Sequence, residues 1–204
     1  MEFLRIKTGI LLSLLFLFSV ASAQVNPSEV FGKSYKLEAS GDYKVAINAL
    51  TGINGYDYHK TLRLGWLYYL DKKYDLSVQH YNMAIKLRPK AVEPLLGLCY
   101  PLDIQQKTDQ LESVYKKILS IDPGNSKINY ALGNIYYYRK NFTLAEKYFD
   151  KGLEMYPYDY YFTLMSAWTK YFLGKKNEAK NLFNTVLIIS PEDTSAKEGL
   201  GLIK

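Results

Sequence analysis

Cysteine and histidine are the scarcest chemistry-bearing residues of this chain, whose 204 residues include one Cys and two His. A single thiol cannot close an internal disulfide or complete a zinc site. His59 and His80 are far apart in the chain, on helices expected to face different ways, and offer neither a metal pair nor a Cys/His couple. A dominant charge is lacking too. Lys and Arg total 26 against 20 Asp and Glu, and a net +6 tolerates anionic partners without requiring them. Seven prolines and 13 glycines are too few for collagen or low-complexity disorder. Ser113, Val114, Tyr115 and Lys116 reproduce the S-x-x-K spacing of some acyl-transferring serine enzymes, but within a helical stretch and without the companion motifs. Gly199 and Gly201 lack the third glycine and the preceding strand of a nucleotide loop. The chain reads as a protein that is not an enzyme and uses no metal and no cofactor.

Long apolar runs are absent as well. The strongest, Ile10–Val20, follows Arg5 and Lys7 and precedes Ala21-Ser22-Ala23, the small-x-small pattern that signal peptidases cut. As a helix, residues 10–23 would reach roughly 21 Å at 1.5 Å per residue, against about 30 Å of hydrocarbon. Residues 1–23 are therefore read as an export signal, with an uncleaved anchor as the alternative. No Cys lies beside the cut, which argues against a lipoprotein. Export removes the chain from most nucleic acid, so nucleic acid is not an expected partner, and no membrane span is expected after cleavage. The basic balance then reads as solubility or as attraction to acidic envelope polymers and lipid headgroups. Cys99, alone in an oxidising compartment, is expected to be a buried core hydrophobe.

What the chain has in abundance is aromatic rings, 20 Tyr, 9 Phe and 2 Trp, and a period. Pro89, Pro123, Pro157 and Pro191 recur at one constant interval, each closing an apolar stretch such as Val186–Ser190. Proline cannot continue a helix from within, so each marks the end of one unit. Inside the most regular unit Leu132, Ile135 and Tyr136 recur at i, i+3 and i+4. After the polar break Arg139-Lys140-Asn141, the helical spacing resumes at Phe142, Ala145, Phe149 and Leu153. Asn141 suits an N-cap between the two stretches. Two helices per period follow, and the fold class is all-α.

Leu132, Gly133, Tyr136, Ala145, Phe149 and Pro157 match in order the sparse signature of the tetratricopeptide repeat (TPR). An earlier unit keeps Leu64, Gly65, Tyr68, Tyr81, Ala84 and Pro89, with Ser77 for the small alanine, and the last keeps Ala167, Ala179, Phe183 and Pro191. On these residues the chain resembles the TPR family. The resemblance implies a right-handed α-solenoid of stacked antiparallel helix pairs, about five repeats plus a C-terminal capping helix. The units would be a degenerate one at 24–57, repeats at 58–91, 92–125, 126–159 and 160–193, and a cap at 194–204. The 92–125 unit departs most, with Cys99 in the glycine place and Pro101 inside its first helix. A kink is expected near residues 98–101, either as repeat drift or as a shaper of a groove. Gly65, Gly133 and Ala167 are expected to let paired helices approach, with Tyr74, Tyr81, Phe142, Phe149 and Phe183 filling the spaces between.

The same resemblance implies that the first helix of each pair lines a concave surface. Through the proline register that surface would carry Leu62, Trp66 and Tyr69, then Leu96, Tyr100 and Asp103, then Tyr130, Asn134, Tyr137 and Tyr138, and finally Tyr161, Trp168, Tyr171 and Phe172. A solvated groove would be polar, whereas this one is aromatic, and exposed rings of Tyr and Trp mark contact surfaces. The basic clamp by which some TPR proteins hold acidic C-termini is not supported, because Tyr130 and Leu62 stand where lysine would be wanted. The expected function is a scaffold of a bacterial periplasm or cell envelope that binds a partner protein segment in this groove. The alternative is a glycan- or polysaccharide-handling accessory using the same rings.

Overall fold

The computed structural model describes residues 26–203, and the predicted export signal lies outside them. Eleven helices and no strand occur among the described residues. They are α1 (Pro27–Ala39), α2 (Tyr43–Thr51), α3 (Asp57–Leu70), α4 (Tyr74–Leu87), α5 (Glu93–Ile104), α6 (Thr108–Ile121), α7 (Ser126–Tyr138), α8 (Phe142–Met155), α9 (Tyr160–Phe172), α10 (Lys176–Ile189) and α11 (Thr194–Leu202). Consecutive helices pack in antiparallel-type pairs, α1 with α2 through α9 with α10, and each pair stacks on the next. The result is a solenoid closed by α11.

The same local chemistry recurs in each period. Second helices end two residues before Pro89, Pro123, Pro157 and Pro191. The first helices α7 and α9 and the closing α11 begin behind side-chain caps: Asn125 accepts from the Ile128 N–H at 3.2 Å, Asp159 from Phe162 at 3.0 Å and Asp193 from Ala196 at 2.7 Å. In the divergent unit the corresponding residue is Ala91, and α5 starts without a side-chain cap, using Pro94 in its first turn instead. Asn141 caps α8 through the Leu144 N–H at 3.2 Å. The turn inside each of the last four pairs is left-handed at one residue, Lys72, Gln106, Lys140 and Gly174. There the chain makes the 6→1 bond of a Schellman motif, as in Lys73 N–H to Tyr68 C=O at 2.8 Å.

Small residues receive large rings. A Cβ on Gly133 would meet the Phe149 ring at 2.4 Å, and one on Gly65 would meet Tyr81 at 2.9 Å. Tyr81, Phe149 and Phe183 are buried, while Tyr74 and Phe142 are half-buried. These last two depart from the core role expected of them: Tyr74 contacts Tyr69, and Phe142 stacks on Phe172, so both belong to the surface rings. The α5 helix runs on through Pro101, whose missing N–H leaves the Gly97 carbonyl without its helical donor. One further expectation is corrected. Cys99 is half-buried rather than fully buried: it packs against two buried clusters and donates to the Leu95 carbonyl at 3.2 Å, but its other side borders a cleft.

Ion pairs tie the units together. Lys170 of α9, barely exposed, lies 2.8 Å from Glu146 and 3.1 Å from Asp150 of α8, and 3.2 Å from Glu178 of α10. Burial would lower the Lys170 ammonium's pKa, but these carboxylates outweigh it and raise the value. Glu112 of α6 meets Tyr136 of α7, Arg139 just past the end of that helix, and Lys116 of its own helix. This clasp crosses the α6–α7 junction, the place where consecutive helices share the least contact.

Candidate functional site

The aromatic residues predicted on the first helices gather into three groups of rings. In the first, Trp66 stacks on Tyr69 at 5.4 Å between centroids, and Tyr100 lies 5.9 Å from Trp66 and 5.5 Å from Tyr69. Leu62 and Leu96 border the same hollow as Trp66 and Tyr100. In the second, Tyr137 meets Tyr138 and Phe172, while Trp168 meets Tyr171, Phe172 and the buried Phe183. In the third, Tyr130 links to Tyr161 at 5.9 Å and to Phe162 at 5.6 Å. Asn134 is half-buried and puts an amide where the neighbouring units carry a ring. Asp103 faces a second cleft, together with Tyr100 and Lys127.

Exposure divides these residues. Tyr138, Tyr161, Phe172 and Tyr100 are exposed, Tyr138 at 78% and Tyr161 at 62%. Trp66, Tyr69, Tyr130, Tyr137, Trp168 and Tyr171 are half-buried, each offering part of a ring face. Both indoles spend their N–H inside the protein: Trp66 donates to Glu38 of α1 and Trp168 to Ser195 of α11, each at 2.8 Å. What the tryptophans present outward is apolar surface.

The first group opens onto a pocket of about 840 Å³ between α1, α3 and α5. Phe31 and Tyr35 form its α1 wall, Leu62 and Trp66 its α3 wall, and Leu96 and Tyr100 its α5 wall. Arg63, almost wholly buried, pairs with Glu38, donates to the Ser34 carbonyl and hydroxyl at 3.2 Å each, and lies 3.9 Å over the Tyr35 ring. Its charge is thus met on the protein's side of the wall. The contribution of α1 was not foreseen, because the first unit's signature is degraded and gave no register for placing Phe31 and Tyr35. The role of Tyr81 in the floor was also missed. The place holds Tyr81 and Tyr115 in the earlier units and Phe149 and Phe183 in the later ones.

A smaller cleft of about 580 Å³ lies between α5 and α7, bordered by Cys99, Asp103, Tyr115 and Lys127. Burial pushes the Cys99 thiol up to about 12 and the Tyr115 phenol likewise to about 12, so neither ionises near neutrality. The cleft therefore offers no thiolate. Among the described residues, no three His, Cys, Asp or Glu side chains group as metal ligands.

Models of the tetratricopeptide repeat match residues 126–159 and 62–91. The chain carries tetratricopeptide repeats. Among solved structures, a tetratricopeptide repeat protein from Parabacteroides merdae superposes with a TM-score of 0.68 at 23% identity, over 85% of this chain and 70% of that one. MamA of AMB-1 gives 0.65 at 19% identity, over 82% of this chain and 93% of its own, and a further MamA structure gives 0.65 at 15% identity, over 81% and 92%. At such identities the likeness establishes the TPR solenoid fold. A comparison with curated proteins finds no match.

Proposed function

We propose that this chain is a non-enzymatic interaction scaffold of a bacterial periplasm or cell envelope, holding a partner protein's segment against the ring-lined side of its first helices. The TPR fold points to protein partners, since stacked pairs present one long surface formed by many equivalent positions. The observation that carries the reading is the exposure of rings on that side, from Tyr100 through Tyr138 and Tyr161 to Phe172. The envelope setting rests on residues 1–23. No helix among the described residues is long and apolar enough to cross a membrane.

A peptide suits this surface better than a glycan. Sugar hydroxyls need donors and acceptors beside the ring on which they stack, and hydroxyls buried without them cost free energy. Both indole N–H groups are already bonded within the protein, which favours apolar side chains as the ligand. Photo-crosslinking amino acids placed at Tyr100 and Tyr161 test the reading, with Met83 of α4 as a control position. Both test positions are expected to capture one protein partner in envelope preparations, and the control is not. Capture of polysaccharide alone, or equal capture at Met83, would count against it. Recovery of a mature chain that begins at residue 24 checks the export reading.

A further inference from the structure

We propose that Asn54 is a modification site of this chain, where the side-chain amide is lost through a cyclic imide formed with Gly55 and is replaced by aspartate and by β-linked isoaspartate. The reaction needs only water, and the fold leaves this asparagine open to it while holding the others.

Three features favour the step: a following residue with no side chain to crowd the attack, a backbone outside a helix, and an amide that no hydrogen bond restrains. Asn54-Gly55 has all three. It lies in the connection between α2 and α3, and both residues are exposed. Gly55 takes a left-handed φ of 76°, with open space where a Cβ would stand. Among the described residues, neither the Asn54 amide nor the Gly55 N–H enters a hydrogen bond. By contrast, Asn26, Asn125 and Asn141 accept helix N–H groups as caps and precede Pro27, Ser126 and Phe142. The remaining asparagines lie inside α2, α4, α7 and α10, where helical ψ turns the next nitrogen away from the amide carbon.

In the ring closure, hydroxide removes the Gly55 N–H proton and the nitrogen bonds Cγ of Asn54. The Cγ–Nδ2 bond breaks, and ammonia leaves with a proton taken from water. Water then opens the imide on one of two sides. Cleavage between the nitrogen and Cγ gives aspartate on an unchanged main chain. Cleavage between the nitrogen and the main-chain carbonyl carbon leaves the chain running through Cβ and Cγ, one methylene longer. Nothing is oxidised or reduced, and either product carries a new negative charge.

The position of the longer link gives it a structural consequence. Ile53, 6% exposed, belongs to the core of the first unit, and Lys60 of α3 donates from Nζ to its carbonyl at 3.1 Å. On the other side, the Tyr56 carbonyl accepts the Lys60 N–H at 2.8 Å. The added methylene thus falls between two anchored residues, on the connection that joins the α1–α2 pair to the rest of the array.

The test ages the purified chain in mildly acidic and mildly alkaline buffer and reads each asparagine by fragment mass spectrometry. Asn54 is expected to lose its amide ahead of every other asparagine and faster in the alkaline buffer, with electron-transfer fragmentation showing the isoaspartate cleavage. Gly55→Ala is expected to slow the loss several-fold. Alanine is strained at that φ, so Asn54→Gln, which would have to close a larger ring, provides a second slow variant. The isolated β-linked form is expected to melt below Asn54→Asp, which carries the same charge on a normal backbone. An intact Asn54 after other asparagines have reacted, or equal rates in both slow variants and the unmodified chain, would overturn the site. Equal melting of the β-linked form and Asn54→Asp would remove the longer link's effect on the fold.

Discussion

Trp66 and Trp168 hold the same register position three periods apart, yet one borders a hollow and the other a filled core. Trp168 turns forward along the array, bonding Ser195 of the following first helix and setting its edge against Phe183 at 5.0 Å. The residue of α5 equivalent to Ser195 is Glu93, which stands at the rim of the pocket. Trp66 turns backward instead, to Glu38 of α1. That choice follows from the charges. Glu38 is drawn in by the buried Arg63, and the indole N–H takes a remaining carboxylate oxygen. With the indole drawn toward α1, the space between α3 and α5 stays open. The two indoles thus bond in opposite directions along the array, on repeats built to one pattern.

The largest effect expected from this contrast is in the core that both halves share. Phe183→Ala should cost about 3–5 kcal/mol, because it removes a wholly buried ring pinned between Ala167 and Gly199. Tyr81→Phe, at the equivalent place, should cost less than about 1 kcal/mol, since its hydroxyl bonds nothing in the protein. Urea unfolding of the two variants separates them, and equal losses would show that the Tyr81 hydroxyl is structural.

Breaking each tryptophan's tether comes next. Glu38→Leu leaves the buried Arg63 without its carboxylate and should cost about 2–4 kcal/mol. It should also raise acrylamide quenching of Trp66, followed in a Trp168→Phe background. Ser195→Ala removes one neutral hydrogen bond and should cost about 1 kcal/mol. Similar losses in the two variants would erase the asymmetry argued here.

The smallest effect concerns the junction between the halves. Hydrogen bonds from Lys116, Tyr136 and Arg139 hold the Glu112 carboxyl down at about 2, from an ordinary 4.5. A carboxyl depressed on folding contributes stability that is fully present above its unfolded value and is lost as pH falls toward the folded one. The contribution should fade between about pH 4.5 and 2, and it is modest because Lys116 and Arg139 are largely exposed. The carboxylate of Glu146 shares this direction: burial would raise it, but Lys170 and Lys175 outweigh burial and lower it. Melting temperature followed against pH should therefore drop less steeply in acid for Glu112→Gln than for the unmodified chain, and parallel curves would refute the clasp.

Much of the architecture could be read from residue order because TPR chemistry is local and repetitive. One proline per period stops the second helices, and Asn125, Asp159 and Asp193 start first helices from one position per period. The glycines that face rings were also legible at Gly65 and Gly133. The turns were less so: Lys72, Gln106 and Lys140 adopt left-handed backbone without being glycine, held there by the two helices they join. Tyr74 and Phe142 were misplaced because a ring at a helix start can face the core or the first-helix surface without changing the apolar spacing.

Residue order alone thus settled the helical pairs, their period and the strip of aromatic side chains along the first helices, because helix periodicity, caps and proline stops act over a few neighbouring residues. The direction in which each indole points, the passage of Tyr81 through the Gly97 notch and the pocket that results were settled by packing between helices. Those outcomes depend on partners in other helix pairs: Glu38 for Trp66, Ser195 for Trp168 and Gly97 for Tyr81. Each is a competition for one hydrogen bond or one gap, and the winner emerges when the neighbouring pairs close on one another.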